Sequence, residues 1–263
     1  MVKAHRCRKL LALMLAVMML AAVLTATASA GYADSTYYNT GCLTTYETNS
    51  LIAQSFAKGS VVVMTPTNNV FYTGAAAEQM VIDGDVQIVT IAGVGSSVVG
   101  TAAFAKHVAK IKNQPVAGIV VGYGDGTVYT EGTQGYFIGR PSNIAGVYYE
   151  EPASQKLVDL YAAGARPSML IGHSKGNMDV ANALFKMYNE GHQSWYSGVT
   201  VKTFGCGVYV PAGVGSFRQY IGTLDTLGYT NTVNWGSMTY VYGRYHTLNP
   251  SYMFTYMPIQ SYI

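Results

Sequence analysis

From residue 59 onward, short runs of apolar and β-branched residues alternate with longer stretches that repeat apolar residues at helical spacing. VVVM (61–64), VFYT (70–73) and VQIVTIAG (86–93) read as strands, with Asp83-Gly84-Asp85 as turn chemistry before the third. TAAFAKHVAKIKN (101–113) predicts a helix with Phe104, Val108 and Ile111 on one face, and His107 on its exposed side. VAGIVVGY (116–123) is a strand, residues 154–163 a helix, and SMLIG (168–172) a strand that runs into a helix over 175–190. VTVKTFG (199–205) is another strand, and TYVYG (239–243) is the last strand-like run. Strands that are apolar throughout and separated by helices predict a parallel sheet buried on both faces. Two stretches lack a period. Residues 31–58 are polar and read as an N-terminal extension ending in a short helix over 50–58. Residues 123–149 are rich in glycine and tyrosine, and read either as a lid over a cleft or as an exposed tyrosine-rich binding surface. With no internal repeat or linker, residues 31–263 form one domain.

The start of the chain changes the picture. Lys3, Arg6, Arg8 and Lys9 precede fifteen uninterrupted apolar residues, Leu10 to Leu24, and then TATASA. Ala28 and Ala30 fit the small positions of a cleavage site, so residues 1–30 are expected to be a secretory signal peptide and the protein to be secreted or periplasmic. The apolar run is shorter than the roughly twenty residues that span a bilayer. From residue 31 on, 12 cations stand against 13 anions. The balance is unlike that of a nucleic-acid binder, and none is expected as a partner. Only Cys42 and Cys206 remain past the leader. In an oxidising compartment they form one bridge or stay as two separate thiols. Two cysteines and no HExxH spacing argue against a metal site, and no cofactor is expected.

The most informative segment is SMLIGHSKGNMDVANALFKMY (168–188). An apolar strand enters Gly172-His173-Ser174-Lys175-Gly176, a G-x-S-x-G pentapeptide, and a helix follows with Met178, Ala181, Phe185 and Tyr188 on one face. A sharp strand-to-helix turn lifts a serine Oγ clear of a sheet and requires glycines where Cβ atoms would clash. A serine nucleophile needs a base, and the base an orienting acid. His173 is too close in the turn to serve, and His192 follows the far end of the helix. His246 is the remaining base. Among the acids after the serine, Asp179 and Glu190 belong to the nucleophile helix, which leaves Asp225. The candidate triad is Ser174, Asp225 and His246.

In its order of motifs the chain resembles an α/β-hydrolase and, within that superfamily, the lipase class 3 group. The resemblance rests on IAGVGSS (91–97), GHSKG (172–176), TFG (203–205), TLD (223–225) and YGRYH (242–246), and covers about residues 86–250. It implies a three-layer α/β sandwich with a mostly parallel central sheet. It also implies a serine esterase or lipase that works through an acyl-enzyme on a lipid or small-molecule ester. The oxyanion hole would comprise the Lys175 N–H and a second N–H near Gly95 or Ser96, although the glycines of that turn also suit a plain tight turn. The Lys175 side chain is expected to be an exposed lysine at the helix start. An acyltransferase would use the same residues, and a non-catalytic binding protein could keep the fold.

Overall fold

The computed structural model describes residues 32–122 and 132–263, so the expected signal peptide and the first part of the 123–149 stretch lie outside the described residues. The apolar runs become β1 (Val61–Met64), β2 (Phe71–Thr73), β3 (Ile88–Ile91), β4 (Val116–Ile119) and β5 (Met169–His173). Downstream follow β6 (Thr200–Phe204), β7 (Ser216–Gly222) and β8 (Met238–Val241). They form a single eight-stranded sheet in the order β2-β1-β4-β3-β5-β6-β7-β8. β1 runs antiparallel to both β2 and β4, and every other pairing is parallel. All residues of β1, β3 and β4 are buried. Successive side chains point to opposite faces, so both faces of the central sheet are covered, as the unbroken apolar runs require. The edge strands β2 and β8 are partly exposed instead.

The helices fall into two packing groups. On α4 (Val98–Lys112) rest α1 (Tyr32–Tyr37) and α2 (Thr45–Ile52). The second group joins α6 (Pro152–Ala162) to α7 (Lys175–Asn189), with α3 (Gly74–Ile82) against α6 and α5 (Arg140–Ala145) against α7. Local signals set their ends. The Thr44 hydroxyl accepts the Glu47 N–H and the Glu47 carboxylate accepts the Thr44 N–H, a reciprocal capping box that starts α2. Asn113 closes α4 in the left-handed region at φ 51°. Glu47 then reaches Lys106 of α4 at 2.8 Å, both side chains fully buried, and Lys106 also donates to the Thr67 carbonyl at 2.7 Å.

Several expectations shift. The helix expected over 50–58 lies at Thr45–Ile52, and α3 was not expected at all. Residues 132–145, expected to be irregular, are helical, with a π-helical turn over Gly135–Gly139. His107 is half-buried rather than exposed. α1 is tied to the C-terminal loop. The carbonyls of Ser35, Thr36 and Tyr37 accept from Asn249 Nδ2, Thr247 Oγ1 and the Leu248 N–H at 2.5, 2.6 and 2.9 Å. Among the described residues no helix is long and apolar enough to cross a membrane.

Candidate active site

β5 passes into α7 through one residue, Ser174, at φ 55° and ψ −124°. That region normally costs a non-glycine residue about 1–3 kcal/mol, so it persists only where neighbours over-determine it. Here they do. The Ser174 N–H donates to the Phe204 carbonyl at 2.9 Å, and its carbonyl accepts from Asn177 N at 3.0 Å and Cys206 Sγ at 3.1 Å. Asn177 Nδ2 bridges the Phe204 and Cys206 carbonyls at 2.8 and 2.9 Å, which ties the start of α7 to the end of β6. Both flanking glycines are sterically required. A Cβ on Gly172 would lie 2.8 Å from the Asn177 backbone, and one on Gly176 only 2.1 Å from the Ile91 carbonyl oxygen.

Asp225 follows β7 and caps the short helix α8 (Thr226–Asn231). Its fully buried carboxylate accepts the Gly228 N–H at 2.6 Å and lies 2.8 Å, through either oxygen, from His246 Nδ1. An ionised carboxylate can only accept, so Nδ1 carries the proton and Nε2 is left basic. His246 follows β8 and is 9% exposed. Its ring lies against Gly205, where a Cβ would come within 2.8 Å of Cε1. The three residues expected from the sequence thus sit at the same end of the sheet, beyond β5, β7 and β8.

A fourth and fifth residue link them. His173 is 1% exposed and sits between Tyr38 and His246, with Nδ1 2.8 Å from the Tyr38 hydroxyl and Nε2 2.8 Å from the His246 carbonyl. The carbonyl only accepts, so Nε2 carries the His173 proton. Burial, reinforced by the neighbouring His246, holds the His173 pKa well below the usual histidine value, so the ring is neutral and Nδ1 accepts from Tyr38. The Tyr38 oxygen in turn accepts the Gly93 N–H at 2.6 Å. One chain of hydrogen bonds therefore runs from the turn after β3, through Tyr38 and His173, to the backbone of His246. Nothing in the sequence marks Tyr38, because its partners lie 55 and 135 residues away.

The two expected oxyanion donors fare differently. Lys175 opens α7, so no preceding helical carbonyl can take its N–H. Ser96 N–H already closes the turn onto the Gly93 carbonyl at 3.2 Å, and Gly95 sits in that turn at φ 70°. The Lys175 side chain corrects its expectation. It is buried, with Nζ 3.0 Å from Glu151 and 3.0 Å from Asp179. Burial alone would lower its pKa, but Asp179 and then Glu151 outweigh that and keep the ammonium charged. The spacing of Asp179 four residues after Lys175 was a visible signal for this contact, whereas Glu151 was not.

Cys42 and Cys206 are both free and buried, so the bridge entertained from the sequence is not formed. The Cys42 thiol donates to the Ala103 carbonyl of α4, while Cys206 donates to Ser174 beside α7. Beside His246 opens a cleft of about 340 Å³, bordered also by Tyr37, Leu224, Leu227, Tyr245 and Tyr252. Compared with models of known protein families and with curated proteins, the sequence matches none.

Proposed function

We propose that the protein is a serine ester hydrolase on an α/β-hydrolase fold, exported through residues 1–30 and resembling the lipase class 3 group. The observation that carries the reading is the backbone of Ser174. A strained, glycine-flanked turn between a strand and a helix has no structural use that an ordinary cap would not serve. The same residue stands at the sheet end that holds a histidine paired to a buried carboxylate. The order of the strands that precede Ser174, Asp225 and His246 also fits the resemblance.

In this reading Ser174 Oγ attacks the ester carbonyl carbon and passes its proton to His246 Nε2. Asp225 holds Nδ1 and the tautomer, and stabilises the imidazolium that forms. The Lys175 N–H faces the developing oxyanion, a donor of a kind worth about 3–4 kcal/mol in the transition state. The alcohol departs with the proton from His246, and water then resolves the acyl-enzyme by the same base.

A fluorophosphonate probe tests the reading directly. Intact protein should gain one adduct, mapped to Ser174 by peptide mass spectrometry, and Ser174→Ala should lose both the adduct and ester hydrolysis by about 10⁶-fold. A Ser174→Ala protein that keeps a tenth of the wild-type rate would overturn the assignment.

A further inference from the structure

We infer that the cleft beside His246 is the subsite for the alcohol half of the ester, and that it takes an alcohol carrying a flat ring and no negative charge. The inference rests on the ester-hydrolase reading and adds a substrate class to it.

The chemistry fixes where the alcohol must be. When the tetrahedral intermediate collapses, the bond from the carbonyl carbon to the alkoxy oxygen breaks. That oxygen receives the proton His246 had taken from Ser174 Oγ, and a neutral alcohol leaves. The alcohol therefore lies against the imidazole. Much of the ring is already occupied. Nδ1 faces Asp225, Gly205 crowds the Cε1 edge, and the His173 ring lies 4.8 Å away by centroids. Tyr37 approaches edge-on at 5.8 Å and 89°, and it forms one wall of the cleft.

The lining then selects the ligand. Tyr37, Tyr245 and Tyr252 supply three phenol rings, and Leu224 and Leu227 supply aliphatic surface. Tyr245 and Tyr252 are 46% and 44% exposed and form the mouth, while Tyr37 and Leu227 are half-buried and form the interior. A flat ring gains offset or edge contacts with such walls, and it has few rotors to immobilise compared with a linear chain. Among the described residues no lysine, arginine or glutamate borders the cleft, and the carboxylate that does, Asp225, is taken up by His246 and the Gly228 N–H. A phosphorylated or carboxylated alcohol would enter without a counter-charge, at a desolvation cost.

Three esters with one acyl group read the subsite: benzyl butyrate, n-heptyl butyrate and 4-carboxybenzyl butyrate. The first two leave seven-carbon alcohols, so ring shape is the main difference. The wild type should favour the benzyl ester over the heptyl ester in kcat/KM by about threefold to tenfold, with the 4-carboxybenzyl ester slowest. Tyr252→Ala and Tyr245→Ala should each move the benzyl-to-heptyl ratio toward one. That ratio is taken within one preparation, so an inactive fraction does not affect it. A wild-type ratio near one, a ratio unchanged in both variants, or a 4-carboxybenzyl ester that outruns the others overturns the subsite. Fluorophosphonate labelling of the same wild-type sample separates the two levels. Labelled Ser174 with any of those results removes the subsite and leaves the hydrolase, whereas an unlabelled Ser174 removes both.

Discussion

Replacing Tyr38 by Phe deletes one oxygen atom and tests the link between the β3 turn and His246. The ring itself should stay, because it stacks on Phe104 at 5.4 Å and is 1% exposed. Two buried groups lose their partner at once: the Gly93 N–H at 2.6 Å and His173 Nδ1 at 2.8 Å. His173 cannot escape by moving its proton to Nδ1, since Nε2 would then face the His246 carbonyl with no hydrogen. An unsatisfied buried group costs about 1–3 kcal/mol, so two together should remove roughly 3 kcal/mol of stability. For a domain of this size that lowers Tm by about 6–12 °C. Activity per fluorophosphonate-titrated site should fall as well. The expected loss is in kcat, about tenfold to a hundredfold with KM little changed, because the chain positions His246 and not the substrate. A thermodynamic cycle with His173→Gln makes the claim sharper. The two residues share one hydrogen bond, so their costs should fall short of additive by about 1 kcal/mol. Additive costs, or a Tyr38→Phe protein with unchanged Tm and full activity per site, would refute the chain.

The remaining predictions address other parts of the molecule. Glu47→Gln and Lys106→Met each strand a buried charge or its partner, so each should cost about 3–5 kcal/mol in denaturant unfolding, and the double substitution less than the two together. His107 has its pKa lowered to about 4 by burial and then by Lys110, so the unfolded chain binds its proton first as pH falls. The stability this residue contributes is therefore present above pH 6.5 and lost between 6.5 and 4, by about 3 kcal/mol, and His107→Gln should flatten the unfolding free energy across that window. Thiol titration of the chain from residue 31, denatured without reductant, should find both Cys42 and Cys206 reactive, and the native protein should react slowly at either. Gly176→Ala drives a methyl group into the Ile91 carbonyl and should yield no soluble folded protein, with native-like circular dichroism as the contrary result.

Legibility in the sequence followed the range of the interaction. Ser174 was legible because its requirements are local: an apolar strand, two glycines at fixed offsets and a helix of clear period. Asp225 and His246 followed from chain order and the shortage of alternatives. The helix over 98–112 and the parallel strands carried periods that survive into the fold. α3 was missed because GAAAEQMVI is alanine-rich and short, with no side-chain cap to announce it. Residues 132–145 read as irregular in the sequence because three glycines in fourteen residues break any helical period, and packing against α7 overrides that weak propensity. Lys175 looked exposed since a lysine at a helix start usually is. Its burial depends on Glu151, which arrives from the extended residue just before α6. Tyr38 and its bonds were invisible for the same reason, and so was the separation of the two cysteines.

The bonds that tie residues 35–37 to 247–249 give the molecule a temporal property. They join segments more than 200 residues apart, and they hold the backbone immediately after His246. Loop closure over that span is entropically late, and contacts of such range form slowly. A chain emerging from its N-terminus can complete β1 through β6, whose end holds the strained turn of Ser174, well before His246 exists. In the proposed reading Ser174 is then bent into place first and left idle, and hydrolysis becomes possible only when residues 247–249 fold back onto residues 35–37. Any process that holds those two segments apart while the chain folds keeps the proposed site silent without an inhibitor.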